Sequence, residues 1–134
     1  MKIYILLFVS LVFISCHLEN SEETLEKIPI YHIQVPENMM MGSEYILTFK
    51  YALENDCYSF YDVEIIPTDG GKTLTITTFA KVDDTGGVCT QEYSEETYSF
   101  TFKPIGKVSH KLRFWKGKDL DGNNLFEEIE FNVE

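Results

Sequence analysis

The stretch of this chain best suited to chemistry is Asp119-Leu120-Asp121-Gly122-Asn123-Asn124, with Phe126 and Glu130 beyond it. Asp119, Asp121, Asn123 and Glu130 fall at the first, third, fifth and twelfth positions of a calcium-loop spacing. In such a loop a tight turn gathers hard oxygens around the cation. Three features oppose that reading. Asn124 stands where such loops carry glycine, Lys116 and Lys118 add positive charge beside the loop, and Glu130 belongs to a run whose alternation already explains it. The ordinary alternative, a hairpin turn rich in Asp, Gly and Asn, is preferred. Calcium is the one cofactor the sequence suggests.

Catalytic groupings are weaker still. His110 keeps register with Val108 and Leu112, so it reads as a core or strand-end histidine rather than a base. Neither a Gly-x-Ser-x-Gly nucleophile turn nor a His-Glu zinc pair occurs. The neighbouring carboxylates Glu95–Glu96 and Glu127–Glu128 sit in strand-like runs, where adjacent side chains point to opposite faces. Paired acid–base work needs them to converge. The chain is therefore expected not to be an enzyme.

The cysteines say more. Cys16 closes the run "LVFISC", and the residues before it are apolar from Ile3 to Ile14 except for Ser10, after a single basic residue, Lys2. A basic start and an apolar stretch of about a dozen residues, ended by a small residue, is the build of a secretory signal peptide. A membrane-spanning helix needs about 20 apolar residues. "FISC" (Phe13 to Cys16) resembles the bacterial lipobox, with Phe13 in place of the usual leucine. That resemblance implies diacylglycerol on the Cys16 thiol, cleavage between Ser15 and Cys16, and a fatty acyl group such as palmitate on the new amino terminus. Several acyl chains on one residue are enough for stable anchoring. The lipid bilayer is then the first partner, and the expected location is the bacterial cell envelope. The outer membrane is favoured, with the domain facing the periplasm or the exterior.

An exported chain lives in an oxidising compartment, so the remaining pair, Cys57 and Cys89, reads as a disulfide. Closing a loop of about 33 residues is worth roughly 3–4 kcal/mol by chain-entropy reasoning, less any strain. Removing residues 1–15 leaves 119 of the 134 residues, with 10 basic and 22 acidic side chains and a formal charge of −12. Such a balance excludes nucleic acid as a natural partner and disfavours adsorption to anionic headgroups.

Three segments follow: a signal peptide over 1–15, a lipidated Cys16 with a flexible acidic tether over 16–27, and a folded domain over 28–134. The tether residues His17 to Lys27 extend at most about 40 Å. From Ile28 onward the period is two. Tyr31, Ile33 and Val35 alternate, then Tyr45 to Leu53, then Tyr61, Val63 and Ile65, then Leu74 and Ile76 among threonines. Tyr98, Phe100 and Phe102 follow, then Val108 to Phe114, then Ile129, Phe131 and Val133. Seven half-buried strands without a long amphipathic helix predict an all-β, antiparallel sandwich. The turn clusters Pro67–Lys72, Asp83–Gly87, Lys103–Lys107 and Gly117–Asn124 connect them. Folding the hairpin at Asp69–Gly71 brings Cys57 and Cys89 to one end of a sheet, as a disulfide requires. Strand number and hairpin spacing resemble the immunoglobulin-like or fibronectin-type sandwich, without the buried Trp and inter-sheet disulfide of antibody domains.

Aromatic side chains are the last clue. Tyr58, Phe60 and Trp115 are out of phase with the core-facing rows beside them. Exposed rings on a sheet face take sugars or protein partners; cover by a second sheet or by the tether is the commoner fate of such large side chains. The resulting expectation is a lipid-anchored, non-catalytic β-sandwich that binds or adheres through a protein or carbohydrate ligand. A calcium-stabilised scaffold and an accessory subunit of a surface enzyme or uptake complex are the alternatives.

Overall fold

The computed structural model describes residues 23–83 and 87–134. The signal segment and Cys16 lie outside the described residues, as does most of the expected tether. The described chain forms eight strands: β1 (Thr24–Ile28), β2 (Ile30–Gln34), β3 (Tyr45–Leu53), β4 (Tyr58–Thr68), β5 (Thr73–Val82), β6 (Ser94–Phe102), β7 (Ser109–Lys118) and β8 (Asn124–Asn132). Among the described residues no helix is long and apolar enough to cross a membrane.

Seven of these strands answer to the seven alternating runs. The eighth, β1, takes the final residues of the expected tether. Its side chains are mostly exposed, but its backbone pairs antiparallel with β5 from Thr24↔Val82 to Ile28↔Thr78. Backbone pairing rather than an apolar face holds this strand, so its sequence carries no amphipathic signal.

Two sheets result, one of β1, β4, β5, β7 and β8, the other of β2, β3 and β6. Along one edge β5 pairs with β4 over its full length. Its other edge is shared: β7 runs parallel to Thr73–Ile76, and β1 takes Thr78–Val82. The chain then passes from one sheet to the other at Pro29, between β1 and β2. Proline lacks a ladder donor and suits such a break.

The core lies between the sheets. Leu47, Phe49 and Tyr51 of β3 face Ile76, Ala80, Leu112 and Phe114 of the larger sheet, all at 5% exposure or less. Phe49 and Phe114 meet edge to face at 6.0 Å between ring centres, a favoured aromatic geometry. The β4–β5 turn uses Asp69, Gly70 and Gly71 at φ of 53°, 65° and 88°. This is the left-handed backbone that the Asp-Gly-Gly run predicts.

The disulfide between Cys57 and Cys89 is present, with Cα atoms 5.5 Å apart. It joins the start of β4 to the connection that enters β6. The same corner is held by the Asp83 amide donating to the Cys57 carbonyl at 2.9 Å and the Thr90 amide donating to Asp56 Oδ1 at 2.7 Å.

Three bulges change which side chains face inward. In β2 the register slips between Tyr31 and Gln34, with His32 at φ 48°. Ile30 and Ile33 both reach the core, and Tyr31, expected to share the face of Ile33, turns outward. In β4 the slip falls between Phe60 and Asp62. Tyr61 becomes the extra residue, 48% exposed beneath the Lys81 ammonium, which lies 5.3 Å from the ring centre. The expected alignment of Tyr61 with Val63 and Ile65 is thus replaced by Tyr58 and Phe60. The third slip lies between Trp115 and Gly117 in β7.

Candidate functional site

Of the calcium-spaced residues, Asp119, Asp121 and Asn123 share one turn and Glu130 lies apart from them. Asp119 closes the β7–β8 hairpin on itself: Oδ1 accepts the amides of Asp121 (2.9 Å) and Asn123 (2.8 Å), and Oδ2 accepts the Asn123 side-chain amide (3.2 Å). The Asp119 amide in turn donates to the Asn123 carbonyl at 2.9 Å. The Asn123 backbone bond, foremost among these, holds the Asp119 carboxyl below its ordinary value. Glu130 sits six residues beyond Asn124 along β8, roughly 20 Å at strand rise. There it pairs with its cross-strand neighbour Lys111 at 3.0 Å. The loop is an Asx-closed turn, and its fourth expected ligand belongs to another part of the molecule.

His110 is 1% exposed and stacks on Phe131 with ring centres 5.7 Å apart. Its Nδ1–H donates to the Val108 carbonyl at 2.8 Å, while Nε2 accepts the Ile105 amide at 3.4 Å. Both ring nitrogens are occupied by backbone. An open pocket of about 350 Å³ lies above it, walled by Asp69, Lys72, Lys111 and Glu130. Each cation there already has an acid: Lys72 is 3.7 Å from Asp69, and Lys111 is 3.0 Å from Glu130 and 3.7 Å from Glu128. Asp56, Cys57 and Cys89 also offer ligand atoms within 4.8 Å of one another. Here the two sulfurs are bonded to each other and Asp56 holds an amide, so this group is a corner brace.

The adjacent carboxylates diverge. Glu128 joins Arg113 at 3.0 Å, while Glu127 joins Lys116 at 3.6 Å. On the outer face of the smaller sheet, Glu95 accepts from Lys50 at 2.6 Å and from the Tyr31 hydroxyl at 2.8 Å. Those two bonds, Lys50 first, hold Glu95 low. Burial, then the bonds to Tyr93 and Glu95, pushes the Tyr31 phenol up. This network stitches β2, β3 and β6 together.

The three out-of-phase rings end in two separate places. Trp115 is 5% exposed on the outer face of the larger sheet, at the fork where β1 displaces β7 from β5. The Lys27 ammonium lies 5.6 Å from its ring centre, and its indole N–H donates to Asn124 Oδ1 at 3.0 Å. Its cross-strand neighbour is Phe126, itself covered by the Arg113 guanidinium at 4.1 Å. Tyr58 and Phe60 instead lie on the inner face of β4, placed there by the Tyr61 bulge. Tyr58 packs against the core, and its hydroxyl is hydrogen-bonded to Glu26, which with partial burial pushes it up to about 12. Phe60 rests on Tyr51 and Tyr98, with ring centres 5.6 Å and 5.9 Å away, yet is 40% exposed.

Phe60 therefore marks an opening. β4 and β6 are the outermost strands of their sheets on this side of the sandwich, and the inner-facing Tyr98 and Phe100 of β6 are only half-buried. This flank is the best candidate interaction surface. Residue alternation could not reveal it, because it depends on a bulge and on which strands end each sheet. No family model matches the chain, and no curated protein or solved structure matches it.

Proposed function

We propose that this chain is an exported bacterial lipoprotein, anchored through Cys16, that presents an immunoglobulin-like sandwich as a non-catalytic contact module at the cell envelope. The observation that carries the contact role is the flank between β4 and β6, where Phe60 is 40% exposed over Tyr98. Large rings at an incompletely covered patch supply much of the energy of an interface. The side chains with chemical capacity are engaged elsewhere: His110 by backbone, Asp119 by its own turn, Glu130 by Lys111.

Two facing, mostly antiparallel sheets support the immunoglobulin-like reading. The parallel β5–β7 pair inside the larger sheet departs from the antiparallel sheets of that pattern. The anchor rests on the lipobox-like run alone. The test is metabolic labelling with a fatty-acid analogue: wild type takes up label and loses residues 1–15, whereas Cys16→Ser does neither. Label on the Ser variant would refute the anchor. For the contact role, Phe60→Ser should weaken adhesion of cells bearing the protein while leaving the fold intact. Unchanged adhesion would refute that part.

A further inference from the structure

Every open sheet leaves backbone groups unpaired along its outer strands, and most such strands carry a device that discourages another chain. Four of the five outer strands here do so. β1, which pairs only with β5, is five residues long and is followed by Pro29. β4 has the Tyr61 bulge and Pro67, β8 carries Glu127, Glu128 and Glu130 within nine residues, and β2 is five residues long with a bulge at His32. The fifth, β6, carries Glu95 and Glu96 but has no bulge and no proline, and is nine residues long. It pairs with β3 in one unbroken register from Ser94↔Leu53 to Phe102↔Tyr45, without proline, lysine or a slip. Its acid Glu95 is already matched by Lys50 on its own sheet. Among the described residues, no backbone group of β6 has a partner other than β3.

We propose that β6 is a docking edge for β6 of a second copy of this chain, paired antiparallel to make a continuous six-stranded sheet. Two features on β6 itself select this occupant. Its inner row is Tyr98, Phe100 and Phe102, and its outer row is Thr97, Ser99 and Thr101. A second β6 laid on the edge thus places another apolar row beside Tyr98 and over the exposed Phe60, and another hydroxyl row toward solvent. Charge selects the direction. Glu95 and Glu96 begin the strand, and Lys103, which has no ion pair among the described residues, follows its end. Antiparallel pairing about the strand's middle sets the acidic end of each copy beside Lys103 of the other. A parallel pair would align acid with acid, which is destabilising.

The arrangement deepens the adhesive reading and rests on it for its biological setting. A two-fold antiparallel pair puts the two β1 strands at opposite ends of the dimer. The ten residues of β5 span about 33 Å, whereas residues 16–23 extend at most about 28 Å. Two upright copies joined this way are therefore anchored in facing membranes rather than side by side in one.

Hydrogen exchange of the full-length mature protein in detergent micelles, at rising protein concentration, tests the pairing. Exchange at alternate amides of Ser94–Phe102 should slow by roughly tenfold as the pair forms, with β4 and β8 unchanged. Lys103→Glu should move the effect to several-fold higher protein concentration at low salt, and added salt should do the same to wild type. Unchanged exchange along β6, or slowing along Tyr58–Thr68 or Asn124–Asn132 instead, overturns the proposal. The setting has its own readout: phosphatidylcholine vesicles carrying wild type should cluster, and vesicles carrying Lys103→Glu should cluster less. Protection at β6 without clustering keeps the pair and removes the adhesive role.

Discussion

The two long flanks of the sandwich are closed in different ways. On one side the backbone itself crosses between the sheets at Pro29, and the β2–β3 connection bridges to the C-terminal end through Met39↔Val133. The Met41 amide donates to the Glu134 carbonyl and the Glu134 amide to that of Met39, at 2.9 Å and 3.1 Å. Apolar side chains along this side are sealed, with Ile28 at 5%, Ile30 at 1%, Met39 at 1% and Val133 at 6% exposure. On the other side β4 and β6 lie over one another without pairing, joined covalently only at one corner by Cys57–Cys89. There Phe60 stays 40% exposed. Both flanks carry similar apolar side chains. What differs is whether backbone crosses the gap, and that decides which apolar surface is left for another molecule.

The largest expected effect tests the covered part of the molecule. Trp115→Ala should cost about 3 kcal/mol or more, because the ring is as buried as the core and its removal strands Asn124 and the Lys27 contact. A chemical-denaturation midpoint close to that of wild type would show the fork to be loosely packed and would weaken the contrast. Replacing both Cys57 and Cys89 with Ser should cost about 2–4 kcal/mol. Hydrogen exchange should then rise first at the start of β4 and in residues 87–93. A uniform rise throughout the domain would mean that the open flank does not depend on this brace.

Phe60→Ala should cost only about 1 kcal/mol, since nearly half of the ring is already in water. A loss approaching that of Trp115→Ala would make Phe60 a core residue and close the proposed opening. The smallest effect is alkaline. Tyr58 is bonded to Glu26 and its hydroxyl is pushed from 10.0 up to about 12, so its contribution is fully present below pH 10 and disappears as pH rises through about 12. Urea midpoints should therefore fall less between pH 10 and 12 for Tyr58→Phe than for wild type. Parallel falls would place the alkaline sensitivity in other tyrosines.

Much of this architecture was legible in the residues. The two-residue period marked the seven strands β2 to β8, the Asp69-Gly70-Gly71 run marked a turn of positive φ, and Cys57 and Cys89 announced their bond. β1 was missed because Thr24 to Lys27 carry no apolar alternation, and only the free edge of β5 gives them a place. The calcium spacing counts along the chain, whereas Glu130 has run up β8 to Lys111, so the preferred hairpin turn describes Asp119 to Asn123 and the spacing does not gather all four side chains.

The face of each ring was beyond the sequence. Alternation is a local rule with period two, and a single extra residue inverts it for the remainder of the strand. The bulge at Tyr61 moved Tyr58 and Phe60 inward, and the bulge at His32 turned Tyr31 outward. Trp115 kept its outward phase, yet it is covered because β1 arrives beside it. Chemical composition and period thus determined that this chain folds as β-strands joined by tight turns. Register, strand order and the crossing at Pro29 arise from contacts between residues far apart in sequence. For that reason the tertiary structure alone decided which flank is sealed and which edge remains open.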